Sequence, residues 1–396
     1  MRCSLRDWRV WALTLTIQGP GVRAVFRYAP WPAWLFPAII GVAVFVYGAS
    51  LHGPLTPWIR RIGSRLSVIV GVLCVVAAVN LLVYPRVDAL KFQGRGSDED
   101  DALIETARRL VTGQRPLYIA TYLGNAPSVG LGWVALVAPL AVTGAYALLT
   151  PLALGLLVWI VRREGGGDAG TALALLLPLT SPAFWELLVT GSDLFAIGVL
   201  FVALTALAAR WRLRSLGVSV LGVVLVVAAA SSRVAFAYVT ACISAFMWRM
   251  KRSGALLAGA ATVAVAAGEC WFWWPDREGV TPLFLIAKLV RLLDAGGVAL
   301  SVVVALGSAG WALAQLDDEI DSWWRGLWAV LVLPLAAISL GLLAASGWQV
   351  AAWQAASYVE VAVASLVACV ATSAARRAGS PAAIRTARTS DSPAFP

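Results

Sequence analysis

Charge is scarce in this chain. Of its 396 residues 13% are Asp, Glu, Lys or Arg and 60% are hydrophobic, and the mean hydropathy is +0.81. So little polar surface cannot clothe a water-soluble globule of this length, so the solvent for most of the chain must be lipid. Histidine occurs once, at His52, which excludes a multi-histidine metal site, a bis-histidine haem and a Ser-His-Asp triad together. Proton transfer must therefore fall to carboxylates. The five cysteines, Cys3, Cys74, Cys242, Cys270 and Cys369, share no CxxC spacing and mostly sit in apolar runs, where cysteine packs as a small hydrophobe. Neither a disulfide framework nor a zinc site follows. Lysine is nearly missing, 3 against 28 arginines, as a G+C-rich genome would give; the other account is binding of anionic headgroups or phosphates. The net charge of +10 is scattered over loops rather than gathered on one face, which argues against nucleic acid as a partner. No cleavable signal peptide is expected, because residues 1–30 carry five arginines and no long apolar core.

What the chain has in abundance is apolar runs. They extend from Trp31 to Ser50, Leu66 to Tyr84, within Leu131 to Val161, Ala169 to Leu188, Leu194 to Ala209, Leu216 to Ala230, Val234 to Trp248, Ala255 to Trp273, Val298 to Gln315, Leu327 to Ser346 and Val350 to Val370. The fold expected is an all-α polytopic bundle with about 11 spans. It forms a single transmembrane domain over residues 31–371, after a basic N-terminal segment (1–30) and before a disordered basic cytoplasmic tail (372–396). Leu131 to Val161 is too long for one simple crossing, so its first part reads as a short half-buried helix broken off at Gly144. Basic residues in short loops stay cytoplasmic. Arg60, Arg61, Arg65, Arg162, Arg163, Arg210, Arg212, Arg214, Arg249, Lys251 and Arg252 fall on one side, against Arg233 alone on the other. The long loop 85–129 then faces outward from a cell membrane, with a bacterial plasma membrane the expected setting. The scheme leaves the basic N-terminus outside, so either residues 1–30 lie flat on a surface or the first apolar run does not cross.

On that outer face fall the acidic cluster Asp98, Glu99, Asp100 and Asp101, the turn Glu186 to Asp193, the turn Ser231-Ser232-Arg233, and the segment Trp274 to Leu293. A second acidic cluster, Asp317, Asp318, Glu319 and Asp321, reads as a solvated cytoplasmic loop. Asp98 to Leu110 has the pattern of an amphipathic helix opened by Ser97, with acids in its first turn and Arg108 and Arg109 near its end. Asp98, Asp101 and Glu105 share one face, while Ala102, Leu103, Leu110 and Val111 point elsewhere. Four consecutive carboxylates exceed what a cap requires, and the competing account is a charged face in water.

The acids from Ser97 to Ala102, followed by Ala107-x-x-Leu110-x-x-Gly113-x-x-Pro116-x-Tyr118, resemble the first outer loop of GT-C glycosyltransferases, polytopic enzymes whose donor is a lipid-phosphate-linked sugar. Thr121-Tyr122-Leu123-Gly124-Asn125 with Ser128, Gly191-Ser192-Asp193 and Ser231-Ser232-Arg233 are similar to stretches of bacterial membrane proteins in that superfamily. The resemblance covers roughly residues 85–295, and Ala102 stands where the better-known acidic motif has a tyrosine. It implies transfer of a hexose such as mannose from a polyprenyl-phosphate donor to an extracytoplasmic glycan, lipid or protein acceptor. Such transfer needs a base for the acceptor hydroxyl, cations for the departing phosphate, and exclusion of water. Asp98 or Asp101 is the expected base. Glu99, Asp100, Tyr122, Asn125, Glu186 and Asp193 are expected to bind substrate, with Arg233 the first phosphate ligand and Lys288 and Arg291 the second. Arg233 reaching out to lipid headgroups is the structural alternative. No cofactor follows from the sequence; clustered carboxylates suit a hard divalent cation, and the same acids can work without one. Trp271, Phe272, Trp273 and Trp274 read as an interfacial belt, and Glu360 as a costly mid-span acid with no basic partner on its helix. A transporter or flippase of lipid-linked sugars is the rival reading; it would place polar groups at the midplane and often show inverted repeats, and no such repeat is visible.

Overall fold

The computed structural model describes residues 7–28, 35–53, 55–93, 97–116, 119–125, 127–210, 216–233, 236–249, 252–277, 283–345, 347–349 and 354–379. Every regular element among them is helical. Seven segments are long and apolar enough to cross a membrane: Leu35–His52, Leu66–Ala89, Tyr146–Leu179, Arg252–Asp276, Leu293–Gln315, Ile320–Ala345 and Ala356–Arg376. Pro182–Thr190 and Leu194–Arg210, bent by 107° at their junction, add an eighth if taken as one broken span. Leu131–Val142, Ser219–Ser231 and Ala237–Trp248 are apolar but shorter, below the roughly 20 residues that a helix needs to cross about 30 Å of hydrocarbon. Seven or eight spans thus stand where the apolar runs alone suggest about eleven.

The difference lies in how the runs break. The run from Ala169 to Leu188 is one apolar stretch in sequence but two helices in space, Gly167–Leu179 and Pro182–Thr190. Ser181 caps the second, its Oγ accepting from the Phe184 amide, and Pro182 occupies the first turn, where its missing N–H costs nothing. The run from Leu131 divides at Gly144, which sits at φ 75°. The last helix, Val363–Gly379, continues past the expected start of the tail at residue 372; residues 380–396 lie outside the described residues.

The described part of the N-terminal segment, residues 7–28, packs into the bundle. Trp8–Leu13, the π-helical turn Thr14–Gln18 and Gly19–Tyr28 run on as one helix, with Val10, Leu13 and Ile17 fully buried. Pro20 cannot donate to residue 16 and would crowd its carbonyl, and the wider turn just before it absorbs the mismatch. At one end Asp7 pairs with Arg9 and with His52 (2.7 Å), and Arg9 donates to Ser373 Oγ (3.2 Å). At the other end Arg23 lies 3.6 Å from Glu186, beside the outer turn. A helix over residues 8–28 is about 31 Å long, enough to run the full thickness of the bundle. Both arginines lie against acids, which is how so basic a segment is buried.

The core is formed by Leu194–Arg210 against the final span, which is 78% buried. Their backbones touch where a Cβ on Gly198 would strike the Val361 carbonyl. Glu360 is fully buried there, 3.4 Å from Ser181 Oγ, with its Oε1 lacking a hydrogen-bond partner among the described residues. Gln18, Tyr47 and Thr180 form a hydrogen-bonded group alongside the same helix break. The second acidic cluster is tied down in part, since Arg376 pairs with Glu319 and Asp321.

Candidate functional site

The helix predicted from the acid cluster is present as Glu99–Val111, with Asp98 at the N-cap and Ser97 Oγ accepting from the Glu99 amide at 3.3 Å. Leu103, Thr106 and Ala107 are fully buried, whereas Val111, expected on the apolar face, is 65% exposed. Successive helical residues turn by about 100°, so four consecutive acids must face different surroundings, and each has its own partners. Asp98 Oδ2 accepts from Thr121 Oγ1 and from Asn125 Nδ2, both at 2.7 Å. Thr121 and Asn125 close a tight turn through Gly124 at φ 74°, so the loop presents them to Asp98 as a unit.

Glu99 turns inward and accepts from Ser192 Oγ. Burial pushes its carboxyl up to about 7; Arg233 pulls it down, and Asp193 and Asp98 add to the rise. Asp100 is 1% exposed and accepts from the Tyr84 hydroxyl at 2.7 Å. Burial again is the main cause that lifts it to about 7, opposed by the Tyr84 hydrogen bond and reinforced by Asp101 and Asp88. Asp101 receives Lys91 Nζ at 2.7 Å, and the same ammonium lies 3.0 Å from Asp88. Tyr122 stands 5.8 Å from Lys91 and packs edge-on against Phe92.

Beneath this helix lies the turn Gly191-Ser192-Asp193. Asp193 is fully buried and holds Arg233 in a fork, Nη2 to Oδ1 at 2.5 Å and Nη1 to Oδ2 at 3.1 Å, while Trp133 Nε1 donates to Oδ2 at 2.6 Å. Arg233 is 1% exposed, so it does not reach for headgroups. Nη1 and Nη2 donate to Asp193 and Nη1 also to the Ser232 carbonyl, while Nε is buried with no hydrogen-bond partner among the described residues. Ser231 accepts from the Gly130 and Trp133 amides through its carbonyl and Oγ, and Glu269 Oε1 accepts from the Leu131 amide at 2.6 Å. Together they cap Leu131–Val142, a role in which a carboxylate also meets the positive end of the helix dipole.

No protein-family model, curated protein or solved structure matches this chain. The site therefore stands on its own geometry. Asp98, Glu99, Asp100, Asp101, Asn125, Tyr122, Asp193 and Arg233 form one connected polar layer at one end of the bundle. Glu186 belongs to a separate feature, an apolar groove of about 510 Å³ lined also by Ala24, Val87, Leu90, Trp185 and Val189. Arg291 is exposed on the helix Phe284–Gln315, and the Lys288 side chain lies outside the described residues. Sequence reasoning missed Lys91, Asp88 and Glu269. The signal for Lys91 was present, as one of three lysines lying 10 residues before Asp101. Glu269 was hidden inside an apolar run.

Gly191 joins the two layers at φ 76°, where an added Cβ would lie 2.5 Å from Tyr84 Cε2 and 3.0 Å from Asp100 Cβ. Gly191→Ala combines backbone strain with overpacking and is expected to destabilise by about 1–3 kcal/mol. Thermal unfolding of the purified variant in detergent checks this, and a midpoint equal to that of the parent would mean the two layers are not in contact.

Proposed function

We propose that the chain is a GT-C-like membrane glycosyltransferase that moves a hexose, mannose first among candidates, from a polyprenyl phosphate to an extracytoplasmic glycan, lipid or protein acceptor. The observation that carries the reading is Asp98. Both of its hydrogen bonds from described residues land on Oδ2, which leaves Oδ1 of a rigidly held carboxylate to take a proton. In the reaction the acceptor oxygen bonds to the anomeric carbon and its proton passes to Asp98. The bond between that carbon and the phosphate oxygen breaks, and the phosphate leaves with the electron pair. Asp101, engaged by Lys91, is the second choice of base. Purified protein in lipid, supplied with radiolabelled polyprenyl-phosphate hexose and scored for a glycosylated product, tests the proposal.

The rival transporter reading draws on Glu360, a buried acid beside the break between Gly167–Leu179 and Pro182–Thr190, since irregular backbone at membrane depth often marks a pathway. Passage of labelled lipid-linked sugar across vesicles without product formation, abolished by Glu360→Gln, would favour it.

The proposed topology counts the N-terminal helix, Ser219–Ser231 and Ala237–Trp248 as crossings, but not Leu131–Val142, whose flanks Gly130 and Tyr146 both bond to the outer turns, so that both termini are cytoplasmic and the acidic helix lies outside a bacterial plasma membrane. Its basis is the bias of basic residues in short loops together with the contact between Arg9 and Ser373. In a background lacking the native cysteines, Ser97→Cys is expected to react with a membrane-impermeant thiol reagent in intact cells, and Ser4→Cys only after permeabilisation. The reverse pattern would remove both topology and enzyme reading.

A further inference from the structure

We propose that Asp88, Asp100 and Asp101 form a binding site for one divalent cation of the calcium, magnesium or manganese class, with Lys91 as a built-in competitor for the same oxygens. The proposal does not require the transferase reading, because it concerns binding alone. One carboxylate oxygen from each of the three residues lies within 4.8 Å of the others. A hard cation with oxygens at about 2.1–2.5 Å gathers its ligands at such spacings. The ligands come from two helices, Asp88 from the last turn of Leu66–Ala89 and Asp100 and Asp101 from the first turn of Glu99–Val111.

The second observation is independent of the clustering. Asp100 is 1% exposed, and while its Oδ2 accepts from Tyr84, its Oδ1 is buried with no hydrogen-bond partner among the described residues. A buried, unsatisfied carboxylate oxygen is costly, and a cation is the partner that removes the cost for an acceptor-only group. Lys91 does not do so. Its ammonium reaches Asp101 at 2.7 Å and Asp88 at 3.0 Å, and among the described ion pairs none joins it to Asp100. Three carboxylates facing one ammonium leave negative charge over. An all-oxygen ligand set with no sulfur or imidazole selects the hard divalent ions over zinc or copper. When the cation binds, Lys91 must release Asp88 and Asp101, so ammonium and metal exclude each other.

The test uses the full chain in detergent with terbium as probe and calcium as competitor. Tyr84, in contact with Asp100, is placed to sensitise terbium emission. The expected result is saturable emission displaced by calcium, with affinity lowered about tenfold or more in Asp88→Asn and in Asp100→Asn. Lys91→Gln is expected to bind several-fold more tightly than the parent, because the competitor is gone. That gain distinguishes a built site from a merely acidic surface and survives if either Asn variant folds poorly. Absence of saturable binding, parental affinity in both Asn variants, or a Lys91→Gln affinity equal to or weaker than the parent overturns the proposal. Absence of sugar transfer by the parent protein, with cation binding present, would count against the transferase reading and leave this one standing.

Discussion

Arg233→Met is expected to destabilise the protein by about 3–5 kcal/mol, because it leaves the Asp193 carboxylate buried without its cation. Asp193 is fully buried, and without Arg233 its described partner is the single N–H of Trp133. The turn that carries Asp193 also carries Ser192, the partner of Glu99, and Gly191, the seat of Asp100. Damage at Arg233 should therefore spread to the acidic helix. The converse substitution, Asp193→Asn, should be nearly as severe. Replacing both partners by apolar residues, Asp193→Leu with Arg233→Met, should recover part of the loss, since a buried pair stabilises less than its separate halves destabilise. Unfolding midpoints and the monodisperse yield of the four proteins measure this. A single Arg233→Met variant within about 1 kcal/mol of the parent would mean that water reaches the turn, and that the guanidinium is available to a ligand after all.

Asp98→Asn is expected to leave the fold intact and slow transfer by about 100- to 10,000-fold, the usual consequence of removing one positioned proton acceptor. The structure explains why folding should survive. Thr121 and Asn125 both donate to one oxygen, Oδ2, and the carbonyl of an asparagine can take that place. Loss of charge at the N-cap costs only about 0.3–1 kcal/mol. Asp101→Asn is the companion test; it removes one of two acids around Lys91 and should matter less if Asp98 is the base. If both variants transfer hexose from a defined polyprenyl-phosphate donor at the parental rate, neither acid is the base and the catalytic assignment is wrong.

The class of fold was readable because it depends on composition and on runs of apolar residues, both properties of the chain alone. Where the runs break was not. The stretch from Ala169 to Leu188 is uniformly apolar by window averaging, and only Ser181 followed by Pro182 announces the new helix. The buried N-terminal helix escaped notice for the opposite reason: Arg9, Arg23 and the Gly19-Pro20-Gly21 sequence look unfit for burial until Asp7 and Glu186 are seen beside the two arginines. In the site, the acidic helix was legible from its first-turn acids and its amphipathic pattern. The partners of each acid were not, since the pairing of Arg233 with Asp193 and of Ser192 with Glu99 spans 40 and 93 residues. Asp100 had no place in the expected acidic face, because a helix with acids at four successive positions must turn one of them toward the interior.

The N-terminal helix has a consequence for how the protein is made. It is made long before some of its partners, since Arg9 meets Ser373, 364 residues later, and the Thr16 hydroxyl meets the indole of Trp328. A segment with arginines at positions 9, 23 and 27 is a poor candidate for insertion by the translocon, where each arginine at the centre of a span costs about 2.5–3.5 kcal/mol. Part of its seat is built early, where Gln18 meets Tyr47 and Thr180 and Arg23 faces Glu186, and the contacts with Trp328 and Ser373 come last. Biogenesis must therefore hold this helix against a partly built bundle until residues 356–376 arrive, and a polypeptide cut short before residue 356 would leave its Arg9 end without the Ser373 contact.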